Sequence, residues 1–300
     1  MSPLPVTDRF RDYAARKTRE AREARLFPFT TAPGGRHDGL DTVESAWSNR
    51  LFDGPFFESS APAPDLPSSN VVFVQSRAGN TVAADPSVLG GGETDKHLVY
   101  EGLSRVTADA VLAGAETVRN SDLFFSVWRD EFVALRASLG QPRHPAQIIA
   151  TLGGMDLEGE LVFNVPELTV FVLTVGAGLA RMHEALAVRP WIRPIVMPHQ
   201  SDLPAAFRGL RSEGIARISI VGGRTIATAL IDAGLVQDLY ITTSPRDGGA
   251  PNTPMHPRPL ETSPVTRKRG TGEDSGVVFD HLILTSKIFG QSLPVTNSRS

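Results

Sequence analysis

The amino-acid sequence predicts an α/β fold, a mainly parallel, doubly wound sheet with an antiparallel C-terminal edge. Short apolar runs rich in β-branched residues recur at 71–75, 108–114, 146–152, 168–174 and 217–223. They lack polar alternation, as strands covered on both faces do. Candidate helices fall between them at 94–106, 177–186, 203–212 and 225–233, which gives the strand-then-helix rhythm of a doubly wound sheet. After residue 237 that rhythm stops. DLYITTSP at 238–245 and VVFDHLILTSK at 277–287 read as strands joined by a long Pro- and Gly-rich stretch without a helix, which suits an antiparallel edge.

Residues 1–70 read as an N-terminal helix and extended arm, and residues 71–300 as the sheet domain. The segment 8–26 contains no Gly or Pro and follows Thr7, a residue able to cap a helix, with Asp8 suited to its positive end. Only Phe10, Tyr13, Ala14 and Leu26 give this charged helix much apolar surface, so it is expected to pack lightly or against a partner subunit. From Pro28 to Asn70 the chain is rich in Pro, Gly and Ser but also carries Trp47, Leu51, Phe52, Phe56 and Phe57. Free linkers rarely hold so many aromatics, so an ordered arm is expected.

Composition narrows the chemistry. A hydrophobic fraction of 41% over 300 residues allows a sizeable core. The net charge of −3, from 30 basic and 33 acidic residues, provides no overall attraction to nucleic acid. With no cysteine, disulfides, thiolate metal sites and a cysteine nucleophile are excluded, and the seven His show no compact ligand spacing, so no metal is expected. Ser126, His97, His183 and His199 form no GxSxG elbow or triad pattern. The charged N-terminus and the lack of a run of about 20 apolar residues lead to the expectation of a cytoplasmic protein without a membrane span.

Two junctions could carry chemistry. In RISIVGGRT, 217–225, a buried strand ends in Gly222-Gly223 and Thr225 opens a helix, so backbone N–H groups and a helix dipole could face a pyrophosphate. Arg224 could add a bidentate phosphate contact. The same glycines equally serve a tight steric turn. In ADAVLAGAETVRNSD, 108–122, Gly114 ends a strand and Thr117-Val118 open a turn or short helix, where Thr117 either caps that helix or bonds a ligand phosphate. A third Gly-bearing turn, Thr174 to Gly178, is either steric or a ligand contact. Gln75, Ser76, Arg77 and Asn80 follow the first strand of the sheet, where they line a substrate pocket or form a surface loop. RKR at 267–269 reads as a solvated face in the loop before the last strand, and PNTPMHPRP at 251–259 as a poorly ordered loop, a lid or a dimer contact.

In order and separation these motifs resemble the reductase of riboflavin biosynthesis, the C-terminal half of the bifunctional deaminase-reductase. ADAVLAGAETVRNSD is similar to that family's aDAvlvGagTvraDdP, with Gly114, Thr117, Val118 and Arg119 matching. VGGRTIATALIDAGLVQDLYITTSP is similar to its EGGptlngaLlaagLVDElrltvaP, with Gly222, Gly223, Leu230, Gly234, Leu235 and Val236 in place. MDLEGELVF at 155–163 is similar to its lpLdarlf stretch, and Val221–Arg224 resembles the GGGR turn of dihydrofolate reductase, whose fold the family shares. The resemblance spans about 70–290. It implies a dihydrofolate reductase-like fold, NADPH across the carboxyl edge of the sheet, and a homodimer.

Under that resemblance Gly114, Thr117, Val118, Thr174, Gly222, Gly223, Arg224 and Thr225 bind cofactor, with Arg119, Arg181 or Arg224 meeting the 2′-phosphate. Gln75, Ser76, Asn80 and Arg119 border the substrate. The family's acidic pair is reduced to Ser121-Asp122, which leaves Asp122 as the candidate for substrate contact or proton delivery. The family pattern also has a lysine, an acidic residue and a glutamate where this chain has Val72, Ala78 and Val221. The expected function is therefore NADPH-dependent reduction of a different small heterocyclic substrate. The alternative is a non-catalytic nucleotide-binding or interaction protein on a reductase fold. A folate-type reductase is disfavoured because no acidic residue stands out in the first helix of the domain.

Overall fold

The computed structural model describes residues 6–83, 89–119 and 122–285. Ser121 and the last residues of the 277–287 run lie outside them. Along the chain come α1 (Val6–Glu23), β1 (Phe29–Thr31), β2 (Asp41–Val43), α2 (Ala46–Leu51), β3 (Phe56–Glu58) and β4 (Ser68–Gln75). A continuous helix follows, from α3 (Gly92–Thr94) through a π-helical stretch (Asp95–Leu103) into α4 (Ser104–Val106). Next are β5 (Ala110–Gly114), α5 (Ala115–Val118), α6 (Asp130–Ser138), β6 (Ala146–Ala150), β7 (Val170–Val175), α7 (Gly176–Ala187) and β8 (Ile192–Met197). The chain continues with α8 (Leu203–Ser212), β9 (Arg217–Ile220), α9 (Arg224–Asp232), β10 (Asp238–Thr243), β11 (Thr262–Gly270) and β12 (Val278–Leu284).

The main sheet has ten strands in the order β1-β11-β12-β10-β4-β9-β5-β6-β7-β8. From β10 to β8 every neighbour is parallel, while β12, β11 and β1 add an antiparallel edge. Alternate residues of each central strand feed opposite cores. Val71, Leu112, Ile148, Phe171 and Ile220 pack under α8 and α9 on one face. Val111, Ala113, Ile149, Val172 and Val221 pack under α1 and the 157–165 segment on the other. The expected fold class is the observed one.

Several elements differ in detail from the sequence reading. Since α1 begins at Val6, Thr7 lies inside the helix, and Leu26 falls beyond its end. The helix packs on its own chain: Tyr13 and Ala21 are buried, and the Phe10 ring meets Phe124 edge-on at 5.0 Å. Within the sheet domain α6, β8 and β11 were not expected from the sequence, and the arm, read only as extended, holds β1, β2, α2 and β3. Pro194 sits inside β8, tolerable because β8 is an edge strand and one side needs no ladder donor. In β11 the charges of RKR conceal a strand. Arg267 pairs with Asp280 across to β12, while Lys268 is buried and donates to Thr31 Oγ1 at 2.9 Å and Asp53 O at 3.0 Å. Burial lowers the Lys268 ammonium to about 8. The 251–259 stretch is ordered by its own bonds, with His256 buried and bonded to Asp232 and to the Arg258 backbone.

The arm is pinned at the amino ends of the central strands. Glu58 of β3 is 4% exposed, accepts from the Thr107 hydroxyl and pairs with Arg217, which also reaches Asp41. Nearby, Asp238 accepts from Ser59 at 2.8 Å and bonds His281 at 2.7 Å. Burial raises the Glu58 carboxyl to about 7, outweighing the downward pull of Arg217 and Thr107. A folded-state value above the unfolded one means that the folded protein holds this proton more tightly. The associated stability is complete below about 4.5 and is lost as pH rises through about 7. Thermal melts from pH 5 to 8.5 should therefore show wild type losing ground to Glu58→Gln as pH increases. Parallel curves for the two proteins would mean that Glu58 stays ionised throughout.

Candidate functional site

Every parallel strand ends on the same edge of the sheet, and its order reverses there. From β4 the chain steps outward through β5, β6, β7 and β8, then returns with β9 between β4 and β5. Helix α5 leaves β5 toward the core face that holds Val118, whereas α9 leaves β9 toward the opposite face with Ala227 and Leu230. Between β5 and β9 the two departing helices diverge, which opens a crevice at a topological switch point.

Glycines line this crevice. Gly222 and Gly223 have φ of 98° and 79°, a left-handed backbone unfavourable to residues with a Cβ. A Cβ on Gly223 would stand 3.0 Å from Ile226 Cγ2 and 3.5 Å from Gly114 N, and one on Gly222 would stand 3.5 Å from Thr117 Cγ2. The two separated sequence motifs thus meet, backbone against backbone. Helices α5, α7 and α9 begin at Gly114, Val175 and Gly223 without a side-chain cap, so cap side chains do not occupy their first N–H groups. Such termini attract anions through the N–H groups and the dipole.

Not every predicted residue presents itself to the crevice in the same way. Thr117 lies within α5, not at its cap, and faces Gly222; Val118 is buried beneath it. Arg224 and Thr225 are exposed on the first turn of α9, and Arg224 reaches the Pro254 carbonyl at 3.5 Å. Arg119 is 46% exposed and pairs with Glu116 at 2.9 Å. Thr174 is fully buried behind the first turn of α7, where a Cβ on Gly178 would overlap its hydroxyl. Arg181 holds the Gly153 carbonyl at 2.9 Å.

On the β4 side, Gln75 donates to Thr243 Oγ1 at 3.0 Å. Ser76 is buried and its hydroxyl accepts from the Asn80 N–H at 3.3 Å. The Asn80 side chain accepts from the Thr253 N–H at 3.2 Å. Ser76 and Asn80 thus fasten the 76–82 loop to itself and to the 250–253 loop. Asp122 is half exposed, with its carboxylate held by Arg9 of α1. Val72 and Val221 are buried in the two cores on the same sheet face.

Sequence reading did not single out Asp95, which joins this edge. It stands in the π-helical stretch, accepts from the Thr242 hydroxyl near the carboxyl end of β10, and is 7% exposed. Burial pushes its carboxyl up to about 6, against hydrogen bonds from Thr242 and the Gly91 backbone that lower it. A first-helix acidic residue is therefore present after all. The available signal was an aspartate shortly after three consecutive glycines, 90–92, but the register that buries it is a tertiary matter.

A family model described as the RibD C-terminal domain matches residues 82–271, more than half of the chain. Among solved structures, the fold is similar to a pyrimidine reductase-like protein from Corynebacterium diphtheriae, with a TM-score of 0.60 and 20% identity, covering 74% of this chain and 93% of that one. It is also similar to RibD from Acinetobacter baumannii, with a TM-score of 0.54 and 19% identity over 74% of this chain and 58% of that one. A third is a diaminohydroxyphosphoribosylaminopyrimidine deaminase/5-amino-6-(5-phosphoribosylamino)uracil reductase from Thermotoga maritima, with a TM-score of 0.51 and 17% identity over 73% of this chain and 57% of that one. No curated protein matches the sequence.

Proposed function

This chain belongs to the RibD C-terminal domain family, and from that premise we propose that it is an NADPH-dependent reductase of a small heterocyclic substrate, acting as a homodimer. The observation that carries the reading is the meeting of Gly114 with Gly222-Gly223 at the switch point, a cradle that a Cβ would fill. Bound there, a reduced nicotinamide would supply a hydride, and the protein's task is placement. The N–H groups opening α5 and α9 hold the pyrophosphate, with Thr117, Val118 and Thr225 shaping its bed and Thr174 backing the adenosine side from beneath α7. Arg224, Arg119 or Arg181 meets the 2′-phosphate, since a guanidinium fork matches its oxygens.

Substrate lies toward β4 and β10, beside Gln75 and Arg119, with Ser76 and Asn80 holding the loop that borders it. Two carboxylates are available. Asp122 is paired with Arg9, while Asp95, buried and bonded to Thr242, has its carboxyl pushed up to about 6 by burial and is suited to exchange a proton there. Valines at 72 and 221, buried in the core, offer no polar group to the phosphoribosyl portion of the riboflavin intermediate, which favours another substrate. The same valines favour the second reading, a nucleotide-binding or interaction protein without turnover.

Titration with NADPH and NADH, followed by the fluorescence of Trp47, Trp128 and Trp191 and by thermal shift, tests the site. Micromolar NADPH binding with weaker NADH binding is expected. Absence of either at millimolar concentration would remove the dinucleotide reading. NADPH oxidation with a panel of pteridines, flavins and pyrimidines then separates enzyme from binder, because a binder does not consume the cofactor.

A further inference from the structure

A second cavity lies at the opposite edge of the sheet, where His144 precedes β6 and residues 165–168 precede β7. It is a groove of about 650 Å³ along α1, floored by Phe10, Ala14, Val165 and Leu168. Helix α1 lies outside residues 82–271, so this wall is not part of the matched family domain. The rim carries Arg11, Arg19 and Arg22 against the single acidic Glu167. Arg11 and Arg22 pair with Asp8 and Asp130, while among the described residues Arg19 has no ion-pair partner. At the floor, Arg143 donates to Ser126 Oγ at 3.2 Å, and Ser126 Oγ lies 2.8 Å from His144 Nδ1.

We propose that this groove binds a small amphipathic anion, its apolar body over Phe10 and Leu168 and its carboxylate or sulfonate at Arg19. A volume near 650 Å³ falls in the range of small-molecule sites, about 300–1,000 Å³. A protein partner would require an interface on the order of 800 Å² per side, more than one helix flank offers. Arg11 and Arg22 are already neutralised by Asp8 and Asp130, so the anion's charge falls to Arg19, and an arginine without an ion-pair partner is the fork that a carboxylate fits. An acyl chain and a fused aromatic ring share this chemistry.

The probe is 1-anilinonaphthalene-8-sulfonate, whose binding is followed by calorimetry and by energy transfer from Trp128, 5.9 Å from the His144 ring between centroids. Saturable binding to wild type is expected, at least tenfold weaker in Arg19→Glu and lost in Ala15→Phe, which narrows the groove from an exposed position. Unchanged melting temperatures in both variants exclude misfolding as the cause. Displacement by dodecanoate assigns an acyl occupant and displacement by 2-naphthoate an aromatic one. Binding insensitive to both substitutions, absent at millimolar probe, or displaced by NADPH overturns the proposal. The NADPH arm keeps this test independent of the reductase reading.

Discussion

Gly223→Val should reduce NADPH affinity by at least about 100-fold, equivalent to one or two charge-assisted hydrogen bonds. Valine meets two obstacles at this position. Its backbone must adopt φ near 79°, and its Cβ would sit 3.0 Å from Ile226 Cγ2. The turn can relax only by moving the first N–H groups of α9 away from the crevice or by placing a methyl where the pyrophosphate approaches. The strain itself costs about 1–2 kcal/mol of stability, so a control with the same strain elsewhere is needed. Gly214 provides it: φ is 90° and nothing lies within 4 Å of a Cβ there. Gly214→Val should melt lower yet bind NADPH like wild type. Calorimetric titration of the two variants makes the comparison, and a Gly223→Val protein that retains wild-type affinity would move the dinucleotide off this turn.

The largest loss of stability is expected at Arg136. Its Nη1 donates to the carbonyls of Arg105, Val106 and Ala108, at 2.7, 3.2 and 2.8 Å, and its Nε donates to Pro142 O at 3.0 Å. One fully buried guanidinium therefore satisfies the carbonyls at the end of α4 and ties them to α6. Burial lowers its proton affinity, to about 10, so the charge is costly, but removing it leaves several buried carbonyls unpaired. Arg136→Met should destabilise by about 3–5 kcal/mol, the cost of two or more buried carbonyls left unpaired at about 1–3 kcal/mol each, lowering Tm by roughly 10 °C. Arg136→Lys, a point charge without the fork, should fall between the two. Chemical denaturation would decide the matter, and a loss under about 1 kcal/mol would show that water replaces the guanidinium at those carbonyls.

The strands that carry the crevice were legible because they are buried on both faces. VLAG, FVLT and ISI need no amphipathic alternation, and their apolar runs stand out from the chain around them. The Gly222-Gly223 turn was legible for a related reason, since a left-handed pair before a helix tolerates little but glycine. At the edges the signal is weak. Strand β8 carries Pro194 and exposed Val196, and β11 carries three consecutive basic residues, so neither has a pattern separable from a loop. The individual roles in the crevice were less legible still. Ser76 and Asn80 are polar loop residues by sequence, and only the loop's own hydrogen bonds turn them inward.

By itself the sequence determined the layered α/β architecture, the antiparallel C-terminal edge, and the two glycine motifs at strand ends, because each rests on local periodicity or backbone sterics. The tertiary structure alone decided that Gly114 and Gly223 touch, that α1 lies on its own sheet with a groove beside it, and that Asp95 is a buried acid beside Thr242. These depend on which strand inserts between which others and on the dielectric each group then meets, quantities set by residues far apart in the chain.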